Sequence, residues 1–367
     1  MKNITILACI ILTFLIFSPS AYAEDAYYSQ VIEDVLDWAD DETESILGQL
    51  GLEQFTAEEL SNISLSDISN LLFGIFKGSL KKPLHTLTTL TGLIIAFSVC
   101  SCYIQNSSLL MIFEGISVIF CSLTVLSDLM NSISDAVISL TSLSDLMKIL
   151  VPVIAAIASF SGSPKLAVSY NAVTVYAAEI VSAVCTDFLT PVLMMFTVIA
   201  VCLTFNPTVK GDSILSAVKK GVNMILGFCS AIFTGISGIK NLLSSGADKI
   251  SVKGVQFILG SSVPVVGGAL SEGLSSIIAA VSLMKSTLGV VGIIITIVVV
   301  LPAACELILW SLSLSLASYV CSIFAQPKTE SVIQAFKFSV SMMLSLILFC
   351  AYIFIVSTGM VILMGSK

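Results

Sequence analysis

Long apolar runs decide what this chain can fold into. Between positions 288 and 325 the tract LGVVGIIITIVVVLPAACELILWSLSLSLASYVCSIFA is interrupted only by Pro302 and Glu306. Apolar runs of membrane-spanning length recur elsewhere. An α-helix needs about 20 apolar residues to cross a hydrocarbon core about 30 Å thick, and a run of 18 or more is a candidate span. Composition agrees: 56% of residues are hydrophobic, 11% are charged and the mean hydropathy is +1.04, whereas a soluble domain carries about 25% charged residues. The expected fold class is all-α: a polytopic helical membrane protein with a cleavable signal peptide and a small acidic helical N-terminal region.

The net charge of −8 conceals a division. Thirteen of the 24 acidic residues lie between Glu24 and Asp67, where there is no lysine. From Leu71 onward fifteen lysines face eleven acids, so an acidic head precedes a weakly cationic membrane body. Every basic residue is lysine, so no guanidinium fork exists to clamp a phosphate or carboxylate. No basic patch supports nucleic-acid binding.

The first 23 residues have a lysine at position 2, an apolar stretch from Ile4 to Phe17 and an Ala-Tyr-Ala end. This is the pattern of a signal peptide cleaved after Ala23, which would start the head outside the cytoplasm. Residues 24–70 read as a helical extracytoplasmic region, a partner-binding module or an amphipathic pair resting on the bilayer. Gly51 is a helix stop, and Thr56 with Glu59 and Ser64 with Asp67 are capping boxes. Residues 71–85 combine Phe73, Ile75 and Phe76 with Lys77, Lys81 and Lys82, which suggests an interfacial segment with lysines at the headgroups. Gly74 and Gly78 form a GxxxG there.

The membrane domain is expected over 86–367, with roughly six to nine apolar spans, some broken or re-entrant. Spans are read at 86–104 and 109–126, at 167–186 and 188–205 on either side of Asp187, at 221–243, within 288–325 and at 339–364. Segment 128–145 is amphipathic, with Asp128, Asp135 and Ser142 on one face at seven-residue spacing. It could line an aqueous path, but the interface is the preferred placement. Segment 149–160 is short for a span and reads as re-entrant or tilted. The tract 288–325 is too long for one crossing, so two crossings or a break at Pro302 are expected.

Glycine and proline in apolar surroundings mark candidate helix breaks or packing points: Pro264, Gly267, Gly268, Gly289, Gly292 and Pro302. Unwound backbone at membrane depth must be buried in protein or line a cavity. The candidate intramembrane ionisable residues are Glu114, Glu179 and Glu306; Glu272 and Lys285 read better as side chains at helix ends. No catalytic motif appears, and one histidine, His85, with no arginine leaves most hydrolytic and phosphotransfer mechanisms without parts. No cofactor is implied, and the ten cysteines read as apolar fillers rather than a metal site or disulfide framework. The chain reads as a non-enzyme. Two functions remain: a subunit of a membrane assembly, or a secondary transporter of a small solute using intramembrane carboxylates. A transporter should show an internal repeat, and none is evident. Homo-oligomerisation stays open.

The run from Gly246 to Gly292 resembles the stage III sporulation protein AE family of endospore-forming bacteria. The resemblance lies in Ala247–Asp248, Lys249 and Lys253, Pro264–Gly268, Lys285 and Gly289–Gly292, with Pro302 and Gln326–Pro327 where the family would have them. It implies a polytopic component of the secretion-like channel complex bridging mother cell and forespore, acting as conduit or scaffold. The implied partners are the other stage III A-operon proteins, including an ATPase and ring-forming subunits, and indirectly stage II sporulation protein Q. The implied place is the mother-cell membrane around the forespore, with the head in the intermembrane space.

Overall fold

The computed structural model describes residues 41–52, 65–160, 180–203, 216–233 and 267–363, apart from single positions 182, 219 and 232. The expected signal peptide, most of the acidic head, the Thr56–Glu59 capping box, Glu179 and Pro264 lie outside the described residues. Among the described residues every regular element is a helix, as the composition demands. They are α1 (Asp41–Gln49), α2 (Leu65–Ser79), α3 (Lys81–Ser101), α4 (Ser107–Phe160), α5 (Thr190–Leu203), α6 (Gly267–Ile323) and α7 (Pro327–Leu363). Among the described residues four stretches are long and apolar enough to cross a membrane: Ser66–Ser101, Ser107–Leu150, Gly289–Ile323 and Pro327–Gly359. The chain is a multi-pass membrane protein.

Helix α1 ends where glycine allows it. Gly51 takes φ +68°, and Leu52 N donates to Leu47 O at 3.0 Å while Gly51 N donates to Gly48 O at 3.0 Å. This pair of bonds closes the last carbonyls, and Leu47 and Leu52 are buried beside it. Helix α2 passes almost directly into α3, since Leu80 N still bonds to Phe76 O and Leu84 N to Leu80 O. Pro83 falls in the first turn of α3, where a missing N–H breaks no helical bond. Asn106 then caps α4, its Oδ1 accepting from Ser108 N at 2.9 Å.

Helix α4 corrects the sequence reading. Its 54 residues take in the span 109–126, the amphipathic segment and the stretch 149–160, with no break between them. The buried positions explain why. Val118, Cys121, Val125, Leu129, Ile133, Ala136, Leu140, Leu143, Met147 and Leu150 recur every three or four residues across both expected breaks. A stripe continuous over that length packs as one helix, whatever charges its other faces carry. The amphipathic segment is thus the middle of one long helix, and 149–160 is the continuation of that helix rather than a separate segment.

Helix α6 corrects it again. Its 57 residues run through Pro302 without a break, about 86 Å at 1.5 Å per residue. Asp187 likewise separates nothing: it lies in a π-helical turn, Val184–Leu189, that leads straight into α5, and Thr190 Oγ1 bonds back to Cys185 O at 2.8 Å. Helices α6 and α7 form the most extensive pair, and both pack on α4. Helix α7 is central, with Phe336 and Phe354 fully buried and Phe338 edge-on to Phe196 of α5 at 5.3 Å.

Candidate functional site

Among the described residues, charged side chains from three helices converge beside Glu306. Glu306 of α6 is only 15% exposed. Its Oε1 accepts a bond from Ser132 Oγ of α4 at 2.6 Å and lies 3.4 Å from Lys82 Nζ of α3. The same ammonium lies 3.4 Å from Asp135 Oδ2 of α4. Ser132 Oγ also accepts a 2.8 Å bond from Nε1 of the fully buried Trp310, one turn beyond Glu306. One turn before Ser132, Asp128 Oδ2 accepts from Thr86 Oγ1 of α3 at 2.9 Å. Three helices are thus tied by one polar network, and the spacing of Asp128, Ser132 and Asp135 along α4 lets successive turns contribute.

The network borders a cavity of about 690 Å³ lined by residues of α1, α2, α3, α4 and α6. Ser139 and Ser142 of α4 continue its polar wall from Asp135. Pro302 and Val298 line the opposite wall. A proline at position 302 leaves the carbonyl of residue 298 without its helical donor. That carbonyl belongs to Val298, which itself lines the cavity. Gly74 and Gly78 line the cavity too, and a Cβ on either would meet nothing within 4 Å. The GxxxG therefore opens onto space and is not a close helix crossing.

A second polar cluster closes the opposite end. Glu114 Oε2 lies 2.8 Å from Lys328 Nζ, with 40% and 36% of the two side chains exposed. Gln326 beside it accepts from Ser117 Oγ at 3.2 Å and donates to Ile94 O at 3.2 Å. From Glu114 to Asp135 along α4 is about 31 Å at 1.5 Å per residue, close to the thickness of a hydrocarbon core. Between these levels lies a belt of exposed apolar side chains: Ile116, Ile119, Phe120 and Leu123 of α4, and Leu312 and Leu316 of α6. The charged cavity sits at the end of the belt where α1 and α2 pack on α6.

The structure distributes the remaining candidates. Gly267 and Gly268 open the first turn of α6. Gly289 is buried in the interior of α6. Gly292 faces α4 and α7, and a Cβ there would stand 3.2 Å from Leu150 Cδ1 and 3.4 Å from Thr358 Cγ2. Sequence reasoning missed Lys82 and Ser132 as partners of Glu306, and Trp310 as the donor to Ser132. The periodicity of Asp128, Asp135 and Ser142 is the available signal, and it fits an aqueous path as well as an interface. Phe73 and Phe76 of α2 are exposed, and α2 belongs to the candidate span Ser66–Ser101. Among the described residues no group of His, Cys, Asp and Glu could hold a metal ion.

The family model for stage III sporulation protein AE matches residues 51–365. Comparison with curated proteins and with solved structures finds no match.

Proposed function

This chain belongs to the stage III sporulation protein AE family, which gives it a role in stage III of sporulation, and from that membership we propose the rest of its function. It is a non-enzymatic membrane subunit of a secretion-like complex linking mother cell and forespore, and it acts as conduit or scaffold. Its partners are the other stage III A-operon proteins, among them an ATPase and ring-forming subunits, with stage II sporulation protein Q reached indirectly. It sits in the mother-cell membrane around the forespore with its N-terminal region extracytoplasmic.

The observation that carries this reading is the extent of the family match, from just after α1 to just past α7. The test is deletion of the gene in its host, followed by microscopy through sporulation. Arrest after engulfment with normal vegetative growth is the expected result, together with recovery of the ring-forming subunits on the tagged, complementing chain. Normal spores would overturn the proposal. The placement of Glu306 against a cavity favours a second reading, a stand-alone secondary transporter. It would lead if sporulation were normal and the Glu306→Gln chain lost uptake of a solute.

A further inference from the structure

We infer that the cavity between α2, α4 and α6 is a binding site for a small aliphatic amine, and that Lys82 is its built-in occupant. This goes beyond the sporulation reading and does not depend on it.

Three observations carry it. First, two carboxylates from different helices, Asp135 and Glu306, converge on one ammonium. That leaves the cluster with one net negative charge while Lys82 is in place and two when it leaves. Second, Lys82 is held loosely. Both of its N···O distances are 3.4 Å and its side chain is 51% exposed, whereas a charge-assisted N–H···O bond closes to about 2.7–2.9 Å. Glu306 instead gives its short bond, 2.6 Å, to Ser132. An ionised carboxylate has about four acceptor sites, so both acids can take further N–H donors. Third, the walls suit a methylene chain with a cationic end: Ile75, Ile138, Val299 and Pro302 supply aliphatic surface beside the carboxylates. The site already binds a butylammonium, the lysine's own. A free amine competes for the same oxygens when the flexible Lys82 stem swings into solvent.

The test uses the full chain in detergent, with native cysteines replaced and Ser142→Cys as a reporter on the cavity wall. A variant that retains only Cys102, which is exposed, serves as reference. Cationic and anionic methanethiosulfonates are compared, with 1,5-diaminopentane as competitor. A cleft of one sign concentrates counter-ions by about tenfold or more. The cationic reagent should therefore be favoured at S142C by about tenfold over its preference at Cys102. Diaminopentane should slow only the S142C reaction. Glu306→Gln should remove most of both effects, and Lys82→Met should enlarge them.

Equal selectivity at the two thiols overturns the inference. So does absence of reaction at S142C and S139C with either reagent, or protection that survives Glu306→Gln. An independent measurement uses the chain with its cysteines intact. Diaminopentane should raise its melting temperature, more in Lys82→Met and not at all in Glu306→Gln. No shift in any of the three would sink the idea, whatever the deletion strain does.

Discussion

Ser132 shows how one hydroxyl can tie two helices, α4 and α6, at two successive turns. It donates toward Glu306, accepts from Trp310, and sits within 3.1 Å of the Asp128 carbonyl of its own helix. Trp310 is fully buried, so removing its acceptor strands an indole N–H away from water. A buried polar group without a partner costs about 1–3 kcal/mol. Ser132→Ala should lower stability by that amount, read as a shift of the unfolding midpoint in detergent, and Ser132→Thr should recover part of it. Ala325 makes the opposite case. It takes φ +53° in the turn after α6, where Gln326 N bonds to Cys321 O at 3.0 Å. A left-handed non-glycine residue costs about 1–2 kcal/mol, and glycine's larger unfolded-state entropy returns part of that gain. Ala325→Gly should therefore stabilise the chain by about 0.5–1 kcal/mol, and no gain would mean that Gln326 and its bonds to α3 and α4 already set the turn.

Helices rather than residues explain why the expected breaks do not occur. Glycine and proline are costly in a helix interior by local propensity, about 1 and 3 kcal/mol. That cost is offset where the helix buries a continuous apolar stripe. Between Val290 and Leu301 nearly every side chain of α6 is buried, and 72% of its most apolar window lies inside the protein. Burying a Val, Leu or Ile contributes about 1.5–3 kcal/mol, so a few such residues outweigh one proline. Gly292 adds the close contact that lets α6 lie on α4 and α7. Its missing side chain leaves room for Leu150, Phe354 and Thr358. Gly292→Ala asks Leu150 to give a few tenths of an ångström and should cost little. Gly292→Leu overpacks the crossing and should cost about 1–3 kcal/mol or disperse the helices, measured by thermal unfolding and by cysteine cross-linking between α4 and α7.

At the scale of the whole molecule, the exposed apolar belt is the surface expected to face the bilayer. It runs between the Glu114–Lys328 pair and the Lys82–Asp135–Glu306 cluster, so a charge placed within it should block insertion. A lysine at the centre of a span costs about 2.5–3.5 kcal/mol on insertion scales. Leu123→Lys should therefore reduce membrane recovery sharply, while Leu123→Ala should not. The pair at the belt's end should behave differently. Both side chains are over a third exposed, and such pairs contribute about 1 kcal/mol or less. Glu114→Gln should leave insertion intact and shift stability by under about 1 kcal/mol; a severe loss would move the bilayer boundary past Glu114. Beyond the charged cluster α4, α6 and α7 continue as a bundle that buries its own apolar residues, including Leu146, Leu150, Ile295 and Ile347. At 54 and 57 residues, α4 and α6 are more than twice as long as the hydrocarbon core is thick.

What the sequence determined by itself was whatever local chemistry decides. Hydropathy set the membrane class, because removing so much apolar surface from water leaves few alternatives. Gly51 stopped α1 because only glycine takes its φ cheaply, and Pro83 sat harmlessly in a first turn. Gly292 stood out as glycine in an apolar run, but its neighbours Leu150, Phe354 and Thr358 did not. Tertiary structure decided how the polar residues pair and whether the apolar runs divide. Asp128 and Asp135 looked like an interfacial face because their partners, Thr86 and Lys82, lie 42 and 53 residues away. Glu306 meets Ser132 across 174 positions. No periodicity within one helix records such a pairing. The same holds for Pro302: its cost is local and visible, while the burial that offsets it comes from α4 and α7, which exist as neighbours only once the bundle has formed.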